Sequence, residues 1–257
     1  MTEFSPTPDS RAARSFYDRS EPPEGGRTAL AHGPGRGLRS AVLEPVRRLR
    51  DELLGGLATV RLLELGCGYG DDLLRLAERG ARAVGVDFAF ERLRRVPQRA
   101  RGDYVVACAD CHRLPFPAAT FGIVFGEAVL AHLDRRRALA ETRRVLVDGG
   151  RLLLIEPLNR HPLLRLYRRL AMRRGEVVSY LDWNELDADH LGGGYHLLPV
   201  GLCSVLLLPP AALGLDGRFW HGLARLLSRF DAWLFRRSAW ARRHAWIALA
   251  HYRRSPR

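Results

Sequence analysis

The sequence predicts an α/β protein with a doubly wound, mostly parallel, Rossmann-like sheet, helices on both faces and a C-terminal helical cap. Short apolar runs alternate with amphipathic helical segments from residue 60 onward. Apolar runs of this kind are buried on both faces, which is typical of parallel strands connected by helices. With 257 residues, of which 47% are hydrophobic, the chain can bury one sizeable core. We therefore expect one folded unit rather than two domains.

Seven strands are predicted along the chain. Five of them lie at Val60–Leu65, Ala83–Val86, Tyr104–Cys108, Phe121–Phe125 and Arg151–Ile155. The sixth is expected within the apolar run Leu197–Leu208, which Pro209 and Pro210 end, and the seventh at Ala245–Tyr252. Helices are predicted at Arg11–Arg19, Leu38–Leu54, Asp71–Arg79, Phe90–Arg99, Arg135–Val147 and Leu163–Arg174.

The charge of the chain gives an ambiguous indication of its partners. The formal net charge is +13, and all 41 basic residues are arginine. A basic surface attracts nucleic acid or an anionic membrane. However, the absence of lysine and the abundance of Ala, Leu and Gly indicate the codon bias of a GC-rich genome. Because the chain starts without a basic segment followed by an apolar one, we expect a cytoplasmic protein.

A glycine-rich turn follows the first predicted strand. Residues 66–70 read Gly-Cys-Gly-Tyr-Gly, and glycines at alternate positions let a backbone turn sharply and approach a ligand closely. The acids Glu64, Asp71 and Asp72 surround this turn. They oppose a diphosphate, which requires bare N–H groups at a helix start, and they favour a cationic ligand. S-adenosylmethionine carries a sulfonium and an ammonium group and no phosphate.

Acids also follow the next two strands. Asp87 ends the second strand, 17 residues after Gly70, where a carboxylate suits the two hydroxyls of a ribose. Asp110 follows the third strand. Together with the turn Asp148-Gly149-Gly150 before the fifth strand, these motifs resemble, in order and spacing, a class I S-adenosylmethionine-dependent methyltransferase of the small-molecule type over residues 60–156.

This resemblance assigns expected roles to individual residues. It implies that the methionine part of the cofactor is surrounded by Glu64, Gly66, Cys67, Gly68 and Gly70. It also implies that Asp87, with Phe88 beside it, holds the ribose, that Asp110 and Cys111 meet the adenine, and that the last strand of the sheet is reversed. The domain would then comprise residues 38–257, with 60–156 as the cofactor-binding core, 157–257 as an acceptor-side cap with the last strands, and 1–37 as a flexible arm.

The acceptor site is less clearly specified. Methyltransferases that act on the amino groups of bases have an Asn/Asp-Pro-Pro-aromatic motif where this chain has residues 126–129, Gly-Glu-Ala-Val. Methylation of oxygen or carbon is therefore favoured over methylation of nitrogen. Glu127 and His132 are expected near the acceptor and could each remove a proton, although a structural role is equally compatible with both. Tyr17 resembles an aromatic residue with which some family members close the pocket, or it packs within the arm.

The C-terminal segment carries ten arginines from Arg218 to Arg257 against one acid, Asp231. One helical face is formed by Leu223, Leu226, Leu227, Phe230, Trp233 and Leu234. Two interpretations remain open for residues 218–246: peripheral contact with the inner membrane, or a lid helix packed on the sheet with solvated arginines.

Other cofactors and functions were weighed against methyl transfer. Residues 108–112 spell C-x-x-C-H, but haem attachment of this kind requires export, and zinc would require a second ligand pair, so no metal is expected. We predict a small, lipophilic acceptor such as a lipid, a quinone or a natural product. The alternatives are a nucleic-acid or protein methyltransferase, with nucleic acid disfavoured, a non-catalytic S-adenosylmethionine-binding protein, and an NAD-dependent oxidoreductase. The oligomeric state is not predicted.

Overall fold

A computed structural model describes residues 36–97, 101–171, 180–184 and 195–255. The predicted helix Arg11–Arg19 and the candidate residue Tyr17 lie outside these ranges. Helix α1 begins at Arg36, two residues before its predicted start, and ends at Leu54 as predicted.

Within the described residues, seven strands form one sheet. They are β1 (Arg61–Leu65), β2 (Arg82–Asp87), β3 (Asp103–Cys108), β4 (Phe121–Glu127), β5 (Leu146–Pro157), β6 (Tyr195–Val200) and β7 (Ile247–Arg253). The spatial order is β3-β2-β1-β4-β5-β7-β6. Strand β7 is antiparallel to β5 and β6, whereas β1 to β5 pair in parallel. The mostly parallel sheet and the reversed last strand are thus confirmed.

Helices cover both faces of the sheet. After α1, the described helices are α2 (Asp71–Glu78), α3 (Phe90–Leu93), α4 (Arg135–Val145), α5 (Pro162–Ala171), α6 (Leu208–Ala212), α7 (Arg218–Arg237) and α8 (Ala239–Arg243). Successive strand residues point to opposite faces, so Leu62 joins a buried cluster with α1 and α2, while Leu63 joins a second cluster with α4. The predicted helices on both faces are therefore present.

Two elements differ from their sequence predictions because of proline. Helix α3 ends at Leu93 rather than near residue 99, since Pro97 disfavours helical geometry in the residue before it. Pro209 and Pro210 do not simply end a strand. They occupy the start of α6, where a missing N–H removes no helical hydrogen bond.

Helix α7 passes along strand β6 from one face of the sheet to the other. Ala224 is buried in the cluster that contains α1, and Phe235 is buried in the cluster on the opposite face. Asp231, also buried, accepts hydrogen bonds at its Oδ2 from the backbone of Leu202 and Ser204, at 3.0 and 3.1 Å, and at its Oδ1 from Cys203 N at 2.7 Å. This carboxylate fixes α7 to the segment that follows β6.

The two edges of the sheet are protected to different extents. Strand β6 lies against α7, whereas in β3 Val105 and Val106 are both exposed although they point to opposite faces.

Among the described helices, none is long and apolar enough to cross a membrane.

Candidate functional site

The loop between β1 and α2 lies at the carboxyl end of the parallel strands. Its glycines, Gly66, Gly68 and Gly70, have φ values of 66°, 52° and 80°, in the left-handed region that favours glycine. A Cβ on Gly66 would lie 2.9 Å from Cγ2 of Val129, whereas a Cβ on Gly68 would meet no described neighbour within 4 Å. The loop therefore packs on the segment after β4 at one glycine and presents open backbone at the next.

Asp87, the last residue of β2, holds this loop in place. Its Oδ2 accepts a hydrogen bond from Gly68 N at 2.9 Å, and its Oδ1 accepts one from Ala89 N at 2.8 Å. Burial raises the pKa of the carboxyl, and the backbone donors oppose that change. The oriented carboxylate retains lone-pair capacity with which it can accept a hydrogen bond from a ligand hydroxyl.

Glu64 lies buried in β1 beside the loop. Its Oε2 has no hydrogen-bond partner among the described residues. Burial raises the pKa of Glu64 well above its ordinary value, and the negative charge of Glu127 raises it further. A buried carboxyl oxygen of this kind suits a ligand that brings a positive charge or a donor, because either would offset the cost of desolvation.

Asp72 differs from the other acids of the turn. It forms an ion pair with Nη1 of Arg50 at 3.1 Å and a second one with Arg75. Burial and the neighbouring Arg50 lower the pKa of Arg75. These two guanidinium groups therefore compensate the negative charge that Asp72 adds beside the turn.

The segment after β3 brings Asp110 to the same edge of the sheet. Oδ1 of Asp110 accepts hydrogen bonds from His112 N at 2.9 Å and from Nδ1 of His112 at 2.6 Å, and Nε2 of the same ring accepts one from Asp134 N at 2.8 Å. The ring thus carries its proton on Nδ1 and links Asp110 to the start of α4. Phe88 is half-buried beside Asp87.

The side chains of the two predicted cysteines turn into the protein. Cys67 packs towards Gly85, where a Cβ would lie 2.7 Å from its Sγ. Burial raises the pKa of Cys111 to about 12, and Gly66 donates a backbone hydrogen bond to this thiol. At both positions only the backbone is left to face a ligand. Within the C-x-x-C-H motif, Cys111 and His112 thus have partners in the protein, whereas Cys108 is exposed.

Glu127 and His132 lie close in the chain on the segment that leaves β4. Glu127 is accessible to solvent, yet the surrounding protein raises its pKa, while Arg50, Arg75 and Arg47 act to lower it. His132 is half-buried at the end of the 3₁₀ turn Leu130–His132.

Glu156, which the sequence analysis missed, supports this segment. Its Oε1 accepts hydrogen bonds from Val129 N at 3.1 Å and Leu130 N at 2.9 Å, and its Oε2 has no partner among the described residues. Burial raises the pKa of Glu156 to about 8. The signal was an acid at the end of a buried apolar strand, the pattern already recognised at Asp87.

Comparisons with known proteins agree with this geometry. Residues 63–154 match the family model described as a methyltransferase domain. The chain is 32% identical to an S-adenosyl-L-methionine-dependent Diels-Alderase of Talaromyces variabilis, over 57% of this chain and 56% of that protein. It is 34% identical to a 27-O-demethylrifamycin SV methyltransferase of Amycolatopsis mediterranei, over 49% and 50%.

A demethylmenaquinone methyltransferase of Thermus thermophilus is 42% identical over 43% of this chain and 53% of that protein. The chain thus spans about half the length of the curated relatives it matches. The crystal structure of the cyclase SpnF has the same fold, with a TM-score of 0.61 and 19% identity over 97% of both chains.

Proposed function

We propose that residues 63–154, which match the family model described as a methyltransferase domain, form the cofactor-binding core of an S-adenosylmethionine-dependent methyltransferase. On this premise we propose that the protein transfers a methyl group from S-adenosylmethionine to an oxygen or carbon atom of a small, lipophilic acceptor. The observation that carries the proposal is the set of acids at the carboxyl ends of neighbouring strands, Glu64, Asp87 and Glu127, around an open glycine backbone.

The residues at this edge fit the cofactor by their chemistry. The unpartnered oxygen of Glu64 suits the ammonium group, and the spare lone pairs of Asp87 suit the ribose hydroxyls. Asp110, held by His112, would accept from the adenine amine, and the backbone of residues 66–70 would lie along the methionine part. The bound cofactor supplies an electrophilic methyl group on a sulfonium, so the protein has only to orient the acceptor and exclude water.

Glu127 is our candidate for the general base. A carboxyl whose pKa is raised holds a proton more readily near neutral pH, which improves its ability to accept one from an acceptor hydroxyl or an acidic carbon. His132, five residues along the same segment, is the second candidate. Glu156 positions both, since it binds the backbone of Val129 and Leu130 between them.

The similarity to enzymes named for a demethylated rifamycin and a demethylated menaquinone supports a small, largely apolar acceptor.

The test incubates the purified protein with methyl-labelled S-adenosylmethionine and an extract of its own cells. Label in the organic phase would support the proposal. Label in nucleic acid or protein would contradict it and favour the corresponding alternative.

A second candidate function is cyclisation assisted by bound S-adenosylmethionine without methyl transfer. It is favoured by the similarity to the Diels-Alderase and to the structure of SpnF. In that case the cofactor would bind, no label would leave it in any fraction, and an acceptor would change in structure but not in mass. Mass spectrometry of the organic phase separates the two functions.

A further inference from the structure

Helix α7 has three distinct faces. Its buried face, centred on Ala224, Asp231 and Phe235, packs onto the protein. The single apolar face predicted from sequence is divided: Leu223, Leu227 and Leu234 are half-buried against the two core clusters, whereas the remaining members point to solvent. The helical face identified in the sequence is therefore divided between a part that packs on the protein and a part that is exposed.

The second face is an exposed apolar stripe, which we define as Phe219, Leu226, Phe230 and Trp233. These residues are spaced by seven, four and three positions and share one side of the helix. Their exposed fractions are 72, 62, 46 and 42%. Phe230 and Trp233 stack on each other with ring centroids 5.6 Å apart, and Arg237 lies over the Trp233 ring at 4.6 Å. No described residue covers this stripe.

The third face is an arginine stripe, which we define as Arg218, Arg225, Arg229 and Arg236, all exposed. Three of these arginines immediately precede a member of the apolar stripe, so the two stripes run side by side along the helix. The single acid of α7, Asp231, faces inward and is only 2% exposed. The charged side chains on the outer surface of the helix are therefore all arginines.

We propose that these two stripes form a docking surface for an anionic lipid bilayer, in which α7 lies parallel to the membrane plane. Aromatic and leucine side chains beside a row of cations are the features of helices that lie in the interface of a bilayer. Charge complementarity favours a phosphate-bearing lipid surface, since each arginine near such a surface raises the partition coefficient about fivefold. This proposal does not depend on the proposed catalytic activity.

The contacts of Asp231 place this part of α7 near the carboxyl ends of β5 and β6. Asp231 binds the backbone of residues 202–204, which follow the carboxyl end of β6. Nε2 of His161, which follows β5, hydrogen-bonds Leu202 O at 3.0 Å in the same region. Because β5 and β6 run in the same direction, their carboxyl ends lie at the edge of the sheet that carries Glu127.

The test measures co-sedimentation of the full-length protein with vesicles of phosphatidylcholine containing phosphatidylglycerol. Two variants remove one stripe each: R218Q/R225Q/R229Q/R236Q, and F219S/L226S/F230S/W233S. A matched control, R61Q/R95Q/R101Q/R136Q, removes the same charge at exposed positions outside α7. Circular dichroism and calorimetric binding of S-adenosylhomocysteine establish that each variant is folded.

We expect the wild type and the control to bind these vesicles, and each stripe variant to lose more than about a hundredfold in partition coefficient. Equal loss in the control would overturn the proposal, because net charge alone would then explain binding. Failure of the wild type to bind would also overturn it. If the wild type instead binds duplex DNA, or self-associates in a way that the apolar variant abolishes, the stripes serve a nucleic acid or a second copy.

Discussion

The two halves of the candidate site are built in different ways. On the cofactor side, Asp87 and Gly68 are 19 positions apart in the chain, and Asp110 contacts its near neighbour His112. On the acceptor side, Glu156 binds backbone 26 and 27 positions away, and Asp231 binds backbone up to 29 positions away. The cofactor side therefore depends on one loop and on acids that end or follow the next two strands, whereas the acceptor side joins segments that lie further apart in the chain.

This difference explains which half can vary between relatives. A loop and the acids next to it form a short motif that changes little without losing its ligand. Segments joined by a few buried carboxylates can move or be exchanged while the sheet remains intact. The acceptor side is thus where relatives with one fold can act on different molecules.

The largest effect is expected at the support of the acceptor side. Asp231→Ala leaves three buried or partly buried backbone N–H groups without their acceptor, which costs about 4 kcal/mol of unfolding free energy. The melting temperature should fall by about 10 °C, while the folded variant binds S-adenosylhomocysteine as the wild type does. A fall of less than about 2 °C, measured by calorimetry, would show that α7 is held by other contacts.

On the cofactor side we expect Asp87→Ala to weaken binding of S-adenosylhomocysteine by about a hundredfold, since two hydrogen bonds to a charged acceptor are lost. Isothermal titration calorimetry measures the change. Asp103→Ala, an exposed acid at the start of β3, is the matched control and should bind normally. Unchanged affinity of the Asp87 variant would mean that another residue holds the ribose.

Glu127→Gln separates chemistry from binding. We expect kcat to fall by about a hundredfold with little change in cofactor affinity. The raised pKa of Glu127 means that the wild-type rate should fall as the pH drops through that value, and the rate of the variant should not show this fall. If the fall disappears in His132→Gln and remains in Glu127→Gln, then His132 rather than Glu127 is the base.

The smallest effect is expected from Glu156→Gln and depends on pH. Because the folded-state pKa of about 8 exceeds the ordinary carboxyl value, the folded protein binds the proton more tightly than the unfolded chain does. The wild type therefore loses stability as the pH rises towards 8, by about 2 kcal/mol between pH 6 and pH 8. The glutamine variant stays neutral and should not show this loss in urea titrations, whereas the exposed Glu78→Gln should behave as the wild type.

The fold could be predicted from sequence because its signals are local, and each apolar run predicted one strand of the sheet. The spacing of Gly66–Gly70 and Asp87 predicted a loop and a carboxylate that the structure brings into contact, and their role in binding the cofactor stays a prediction. The pairing of Asp72 with Arg50 could not be predicted, because it joins α1 to α2 across 22 positions. Glu156 was missed although its place at the end of a buried strand is visible in the sequence, because the backbone that it binds is 26 and 27 positions away. The division of α7 into three faces depends on which side of the helix meets the sheet.

The unequal edges of the sheet have a consequence for how the protein opens. Each edge strand pairs with one other described strand, β6 with β7 and β3 with β2, but β3 exposes Val105 and Val106 to solvent. Amide hydrogens of β3 should therefore exchange with solvent sooner than those of β1 or β4. Since Asp110 follows β3, exchange in this strand reports on the segment that carries Asp110. If Asp110 meets the adenine as proposed, a bound nucleoside should slow exchange in β3 more than elsewhere in the sheet.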